Sequence, residues 1–146
     1  MSAKPSRRDQ DFYAWSLEQA ALLREGKVAE AELGLIAEEI ESMGKAEKRE
    51  LISRLTVLLL HLIKWRFQPQ GRGNSWRLSI ATARDEIADL INDNPSLKSA
   101  LDEVTASAYR YARRKAAIET DLGEECFPDQ CPWPFAAAMD EGYWPE

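Results

Sequence analysis

Histidine occurs once in these 146 residues, at His61, and cysteine twice, at Cys126 and Cys131. One imidazole cannot build a His-rich metal centre. A di-iron bundle needs Glu-x-x-His on two helices, and here the position three before His61 is Leu58. A zinc site would need two ligands beyond the cysteines, and His61 is far from them in sequence. No Ser or Cys at a recognisable elbow accompanies the histidine, so a nucleophile triad has no support. No metal and no cofactor is therefore expected. Long apolar runs are missing too. The longest, Leu55–Ile63, is well short of the roughly 20 residues that span a bilayer, and His61 interrupts it. Residues 1–8 read as a polar leader. Lys4, Arg7, Arg8 and Asp9 bring charge but no apolar segment follows, so no signal peptide is expected and the expected location is the cytoplasm. In that compartment the two cysteines are expected as free thiols.

What is present is an ordinary globular balance, 45% hydrophobic and 30% charged residues, in a length that suits one domain with one core. The net charge of −6 argues against general nucleic-acid binding, because a polyanion is repelled unless the charges are segregated. No strand-like alternation and no internal repeat stands out. The expected fold class is all-α, a single-domain bundle of about five main helices with an aromatic, Pro-rich C-terminal tail packed on it.

The organising stretch is Glu47–Gln68. Seven of the nine residues Leu55–Ile63 are apolar and no Gly or Pro interrupts, which marks a helix buried on most faces. A first helix is expected from about Asp9 to Glu25, with Phe12, Trp15, Gln19, Leu22 and Leu23 on one face and Gly26 as its stop. A second runs from about Ala29 to Met43 on the stripe Leu33, Ile36, Ile40 and Met43. The stripe continues in phase into Leu51, Leu55, Leu58 and Leu62, and one Gly costs only about 1 kcal/mol inside a helix. One bent helix and two separate ones both fit. A straight helix over residues 29–68 would be on the order of 60 Å long, which favours a break or sharp kink at Met43–Lys45. A loop at Gln68–Asn74 follows. The next helix is expected from Asn74 or Ser75 as N-cap, and the last from Asn94-Pro95 to Asp121–Gly123. Beyond Gly123 come four of the seven prolines with Phe127, Trp133, Phe135, Tyr143 and Trp144. So many aromatics argue for a packed tail, with one short helix near Pro134–Met139.

Several runs together are similar to one bacterial family. They are Asp11-Phe12-Tyr13-Ala14-Trp15, Glu38-Glu39-Ile40-Glu41-Ser42-Met43-Gly44, Leu58-Leu59-Leu60-His61-Leu62-Ile63-Lys64-Trp65, Ser75-Trp76-Arg77, Cys131-Pro132-Trp133 and Trp144-Pro145. In combination they resemble the "domain of unknown function 29" family over nearly the whole chain from Asp11. The resemblance implies an all-helical domain without a settled function. Leu35 departs from the family pattern, where many members carry Asn or His, and puts any polar site using that position in question.

Three features could carry chemistry. Glu38 and Glu41, three apart, share a helix face and could hold a metal or move protons; the plainer reading is a solvated or salt-bridged face. His61 could pair with Glu38 or Glu41 and gain basicity; the plainer reading is a structural histidine with one satisfied hydrogen bond. A tight turn at Gly44 would keep it from those carboxylates, and a helix returning after the loop near Gly71 would set it beside Ile80 and Ala81, with Arg77 one turn away. The third feature is a charge segregation. Leu51–Arg84 contains no Asp or Glu but holds Arg54, Lys64, Arg66, Arg72, Arg77 and Arg84, with Trp65, Phe67 and Trp76 interleaved. That pattern could grip phosphate or single-stranded nucleic acid, with backbone donors at Ser75 and Trp76. The plainer reading is internal pairing with the Glu-rich second helix. The candidate polar site is thus Glu38, Glu41, His61, Trp76 and Arg77. The function expected is a small soluble regulatory or protein-interaction module; the alternative is a phosphate- or nucleic-acid-binding protein or enzyme at that site. The expected partners are another protein or a second copy of the chain, with no membrane. Nucleic acid keeps one route, through Lys64, Arg66, Arg72 and Arg77.

Overall fold

A computed structural model describes residues 6–146. Among them there is no β-strand, and the fold is all-α. The helices are α1 (Arg7–Gln10), α2 (Phe12–Arg24), α3 (Leu33–Phe67), α4 (Asn74–Asp93), α5 (Leu101–Thr120) and α6 (Phe135–Met139), with 3-10 turns at Pro69–Gly71, Pro95–Ala100 and Glu124–Cys126. Four of these helices are long, where the sequence suggested five. Among the described residues, those from 6 to 44 form one compact unit and those from Lys45 onward another.

The missing fifth helix is the break expected at Met43–Lys45. α3 runs unbroken through Gly44. The stripe keeps its phase across that point, and the residues on both sides are good helix formers, so the small cost of one glycine is outweighed. The length argument failed because it assumed one compact body. The second helix also begins later than expected, at Leu33 rather than Ala29. Gly26 ends α2 with φ +75°, the left-handed conformation that favours glycine. Residues 25–32 then turn, pinned where the Gln19 side chain accepts from the Glu32 backbone N–H at 2.8 Å. The leader expected over residues 1–8 is helical from Arg7, and residues 1–5 lie outside the described residues. Asp11 separates α1 from α2 and caps the latter, accepting from Ala14 N–H at 3.0 Å.

In the second unit, α3 supplies the core. Leu51, Leu55, Leu58, Leu59, Leu62 and Ile63 have no exposed surface. Ile80, Ala83, Ile87 and Ile91 of α4, recurring at three and four residues, and Val104, Ala108, Ala112 and Ala116 of α5 join the same cluster. The tail completes the cluster with Phe127, Trp133 and Ala138, while Tyr143 and Trp144 pack against it half-buried. Asn94 does not cap the helix after it, as its Asn-Pro context suggested. Its side chain turns back to Leu90 O at 3.1 Å and closes α4 instead. Gly73 rather than Asn74 precedes α4, and Asn74 Oδ1 accepts from Arg77 at 3.2 Å.

Leu58→Ala should therefore cost about 2–5 kcal/mol, as for other large-to-small changes in a closed core. Urea unfolding measures it. A loss under about 1 kcal/mol would mean that α3 does not organise the core.

Candidate functional site

The basic stretch resolves into particular contacts, most of them internal. Arg84 is buried to 3% exposure. Its guanidinium donates to the carbonyls of Ala138 and Tyr143, both at 2.9 Å, with a longer 3.5 Å contact to Glu141 O. Its Cζ also lies 5.6 Å from the centre of the Trp144 ring. Burial lowers the Arg84 pKa, and the nearby Asp140 and Glu141 charges oppose that shift. Trp144 packs on Trp65 with ring centres 4.7 Å apart. Two more arginines, Arg72 and Arg77, lie over Trp65 at 5.3 Å each. Arg72 also donates to Trp65 O at 2.7 Å, satisfying a carbonyl in the last turn of α3, and reaches Pro145 O at 3.4 Å. Arg66 lies over Phe67.

Lys64 is held between Glu119 of α5, at 3.7 Å, and the Trp76 ring of α4, at 4.8 Å. Trp76 in turn covers Gly71, where any added Cβ would collide with the ring. Arg54 bridges Glu50 on its own helix and Glu86 on α4. The positive charge of Leu51–Arg84 is thus matched by tail carbonyls, tryptophan faces, and Glu86 and Glu119. The Glu-rich segment before Gly44 was expected as the partner; it is instead an earlier part of the same helix as Arg54 and Lys64.

Glu41 and His61 lie twenty residues apart in the sequence of one helix, α3. α3 makes no turn at Gly44, and the loop near Gly71 that would set Ile80 opposite His61 is present at Pro69–Gly71. Glu38 accepts from Arg8 at 2.8 Å, and Glu39 from the same guanidinium at 3.2 Å. Arg8 keeps a raised pKa chiefly through its Glu38 bond. Glu41 is exposed. His61 Nδ1 donates to Val57 O at 2.8 Å in its neutral form. Burial lowers its pKa first; the Val57 bond raises it, Lys64 lowers it, and Glu119 raises it. Of the five proposed residues, Trp76 and Arg77 lie together near Lys64 and Trp65, and Glu38 is engaged by Arg8 within the first unit.

A cleft between α5 and the tail was not foreseen. It encloses about 660 Å3 and is lined by Thr105, Tyr109, Arg113, Cys131, Trp133 and Phe135, among others. Tyr109 donates its hydroxyl to Pro128 O, and its pKa is pushed up to about 12, by burial first and then by Cys131. Cys131 donates to Trp133 O at 3.2 Å, and burial raises its pKa. Cys126 and Cys131 are both free thiols. Arg113 reaches Asp129 at 3.3 Å and Glu124 at 3.9 Å. The only sequence signal for this cleft was polar residues on the α5 face at three- and four-residue spacing, which a solvated helix shares. No group of acidic, histidine or cysteine side chains suited to a metal occurs among the described residues. No helix among them is long and apolar enough to cross a membrane.

Two outcomes follow for these groups. Arg84→Met leaves the tail carbonyls without a donor and should cost about 3 kcal/mol or more. Arg84→Lys should recover only part, since an ammonium lacks the planar fork. Thermal unfolding with tryptophan fluorescence reads both, and a loss below about 1 kcal/mol would mean that apolar packing alone holds the tail. For His61, the folded pKa lies below the unfolded value of about 6.5. Its contribution is complete above the unfolded pKa and is lost as pH falls through it toward the folded pKa, because the unfolded chain then binds the proton first. NMR titration should find the ring below 6.5 and unmoved by Glu41→Gln, and His61→Gln should flatten the pH slope of stability in that window.

The comparisons with known proteins give a family without an activity. No curated protein and no solved structure matches the chain. The family profile matches residues 8–144, nearly the whole length, so the chain belongs to the family described as Domain of unknown function DUF29.

Proposed function

We propose that this chain is a protein-interaction module whose first unit, up to Gly44, docks on another protein surface. One observation carries the reading. Among the described residues of that unit only Trp15 and Gln19 are buried, while Phe12, Tyr13, Leu17, Leu33, Ile40 and Met43 are among its exposed large apolar side chains. Water contact with such surface is costly, and patches of this kind mark interaction sites. A two-helix element of this size has too little core to hold its shape by burial alone. A partner that covers it supplies what is missing. The thiol state of Cys126 and Cys131 suits work in the reducing cytoplasm.

The enzyme or phosphate-binding alternative has less to rest on. The basic side chains it would need are engaged: Arg72 with carbonyls and Trp65, Arg77 with Asn74 and Trp65, and Lys64 with Glu119 and Trp76.

The test uses the chain at its native level in the cells it comes from. Gel filtration of a gentle lysate should find it in an assembly larger than one chain. Ile40→Glu with Met43→Glu should release it at the size of the free purified variant. A native chain that already runs at that size, unchanged by the substitutions, would end the reading.

A further inference from the structure

The exposed side chains of the first unit are not scattered. α2 and the beginning of α3 run antiparallel, since Arg8, ahead of α2, bonds Glu38 and Glu39 while Trp15 and Gln19 meet Glu32. Trp15 and Gln19 mark the seam between the two helices. Moving round α2 from that seam by helical periodicity brings Phe12, Ser16, Ala20 and Leu23 into one row. Moving round α3 brings Leu33, Ile36, Ile40 and Met43 into another. Right-handed helices packed antiparallel turn these two rows to the same side of the pair. No charged residue falls in either row. Glu18 and Glu38 fall on the opposite side, Glu39 in the seam with Arg8, and Glu41 on the flank of α3 away from the seam. The side carrying the two rows is also the open one. Phe12, Leu23 and Leu33 are 51%, 43% and 48% exposed, and Ile40 and Met43 are 64% and 68% exposed.

From this we infer that the occupant of the face is a second copy of the same chain, whose first unit packs on it as the other half of a four-helix bundle. The inference rests on the interaction-module reading and names its partner. Size is the first argument. Five large apolar side chains, each about half exposed, leave on the order of 500 Å2 per copy, as much as the largest patches on monomers. Two such faces bury on the order of 1,000 Å2, about the smallest area a specific interface needs. Charge is the second argument. A two-fold axis brings a face against itself, so any charge on it would meet its own sign. This face has none, whereas a partner bearing charges there would bury them without a complement. Shape is the third. Ser16 and Ala20 leave room for a facing helix, and Phe12, Leu23, Ile40 and Met43 can fill the layer between pairs as in antiparallel bundles.

Sedimentation equilibrium of the purified full chain tests the inference. The expected result is a dimer, with Ile40→Glu plus Met43→Glu raising the dissociation constant about 100-fold or more, equivalent to about 2.8 kcal/mol. Glu41→Lys, off the face, should leave the dimer unchanged. Unaltered melting of the leucine core in each variant shows that the second unit is folded. A wild-type chain that stays monomeric overturns the inference, as does a dimer that survives the double substitution. The two ideas separate cleanly. If the pure chain is monomeric yet its native assembly is still lost on Ile40→Glu and Met43→Glu, the partner is a different protein and the interaction reading stands. If the native assembly is also absent, both fall.

Discussion

A buried cation without a carboxylate at hydrogen-bond distance is the constraint on which the second unit depends. Arg84 sits in the apolar layer formed by α4 and the tail, and its guanidinium is answered by main-chain oxygens of residues 138–143 and by the face of Trp144. A desolvated charge is expensive, and carbonyl dipoles offset that cost only if they are held in place. The tail therefore has to close where those oxygens meet the fork. Phe127, Trp133 and Ala138 then bury the apolar surface that makes the closure favourable. Arg84 contributes the geometry, and the aromatics contribute most of the driving force.

The same chemistry extends outward from Trp144. Trp65 packs on it at a tilt and carries Arg72 and Arg77 over its own ring. Guanidinium groups are weakly hydrated and planar, so they pack on indoles at little cost. This explains why the run from Leu51 to Arg84 can hold six basic residues and no acid without self-repulsion. Each charge is drawn to a ring, a carbonyl or a carboxylate rather than left facing another cation. Surface pairs such as Lys48 with Glu103 add little by comparison.

Much of this could be read from the sequence. The burial of Leu55, Leu58 and Leu62, the turn at Pro69–Gly71, the stop at Gly26 and the packed tail all follow from local signals: apolar periodicity, Pro and Gly placement, and aromatic content. The misreadings have a shared cause. Whether Gly44 breaks a helix depends on whether the chain makes one compact body or two, which no local pattern records. The candidate polar site joined residues by chemical type, whereas Glu38 is taken up by Arg8 and His61 by the Val57 carbonyl. The role of Arg84 was hidden for another reason. Its partners are carbonyls, which every residue carries, so no side-chain motif points to them. The cleft beside Tyr109 and Cys131 is likewise made by a fold-back of the tail that spacing does not encode.

The separation of Arg84 from its partners has a kinetic side. Its hydrogen bonds join residues 54 to 59 positions apart along the chain, whereas the helices close through neighbours four apart. Helices form in microseconds, and contacts between distant segments come later. During synthesis, α3, α4 and α5 emerge before residues 138–143 exist. Until then the guanidinium must stay in water, which holds the middle of α4 away from its final packing. The growing chain is therefore expected to wait as a loosely packed set of helices, and to set into its native core only when the tail arrives.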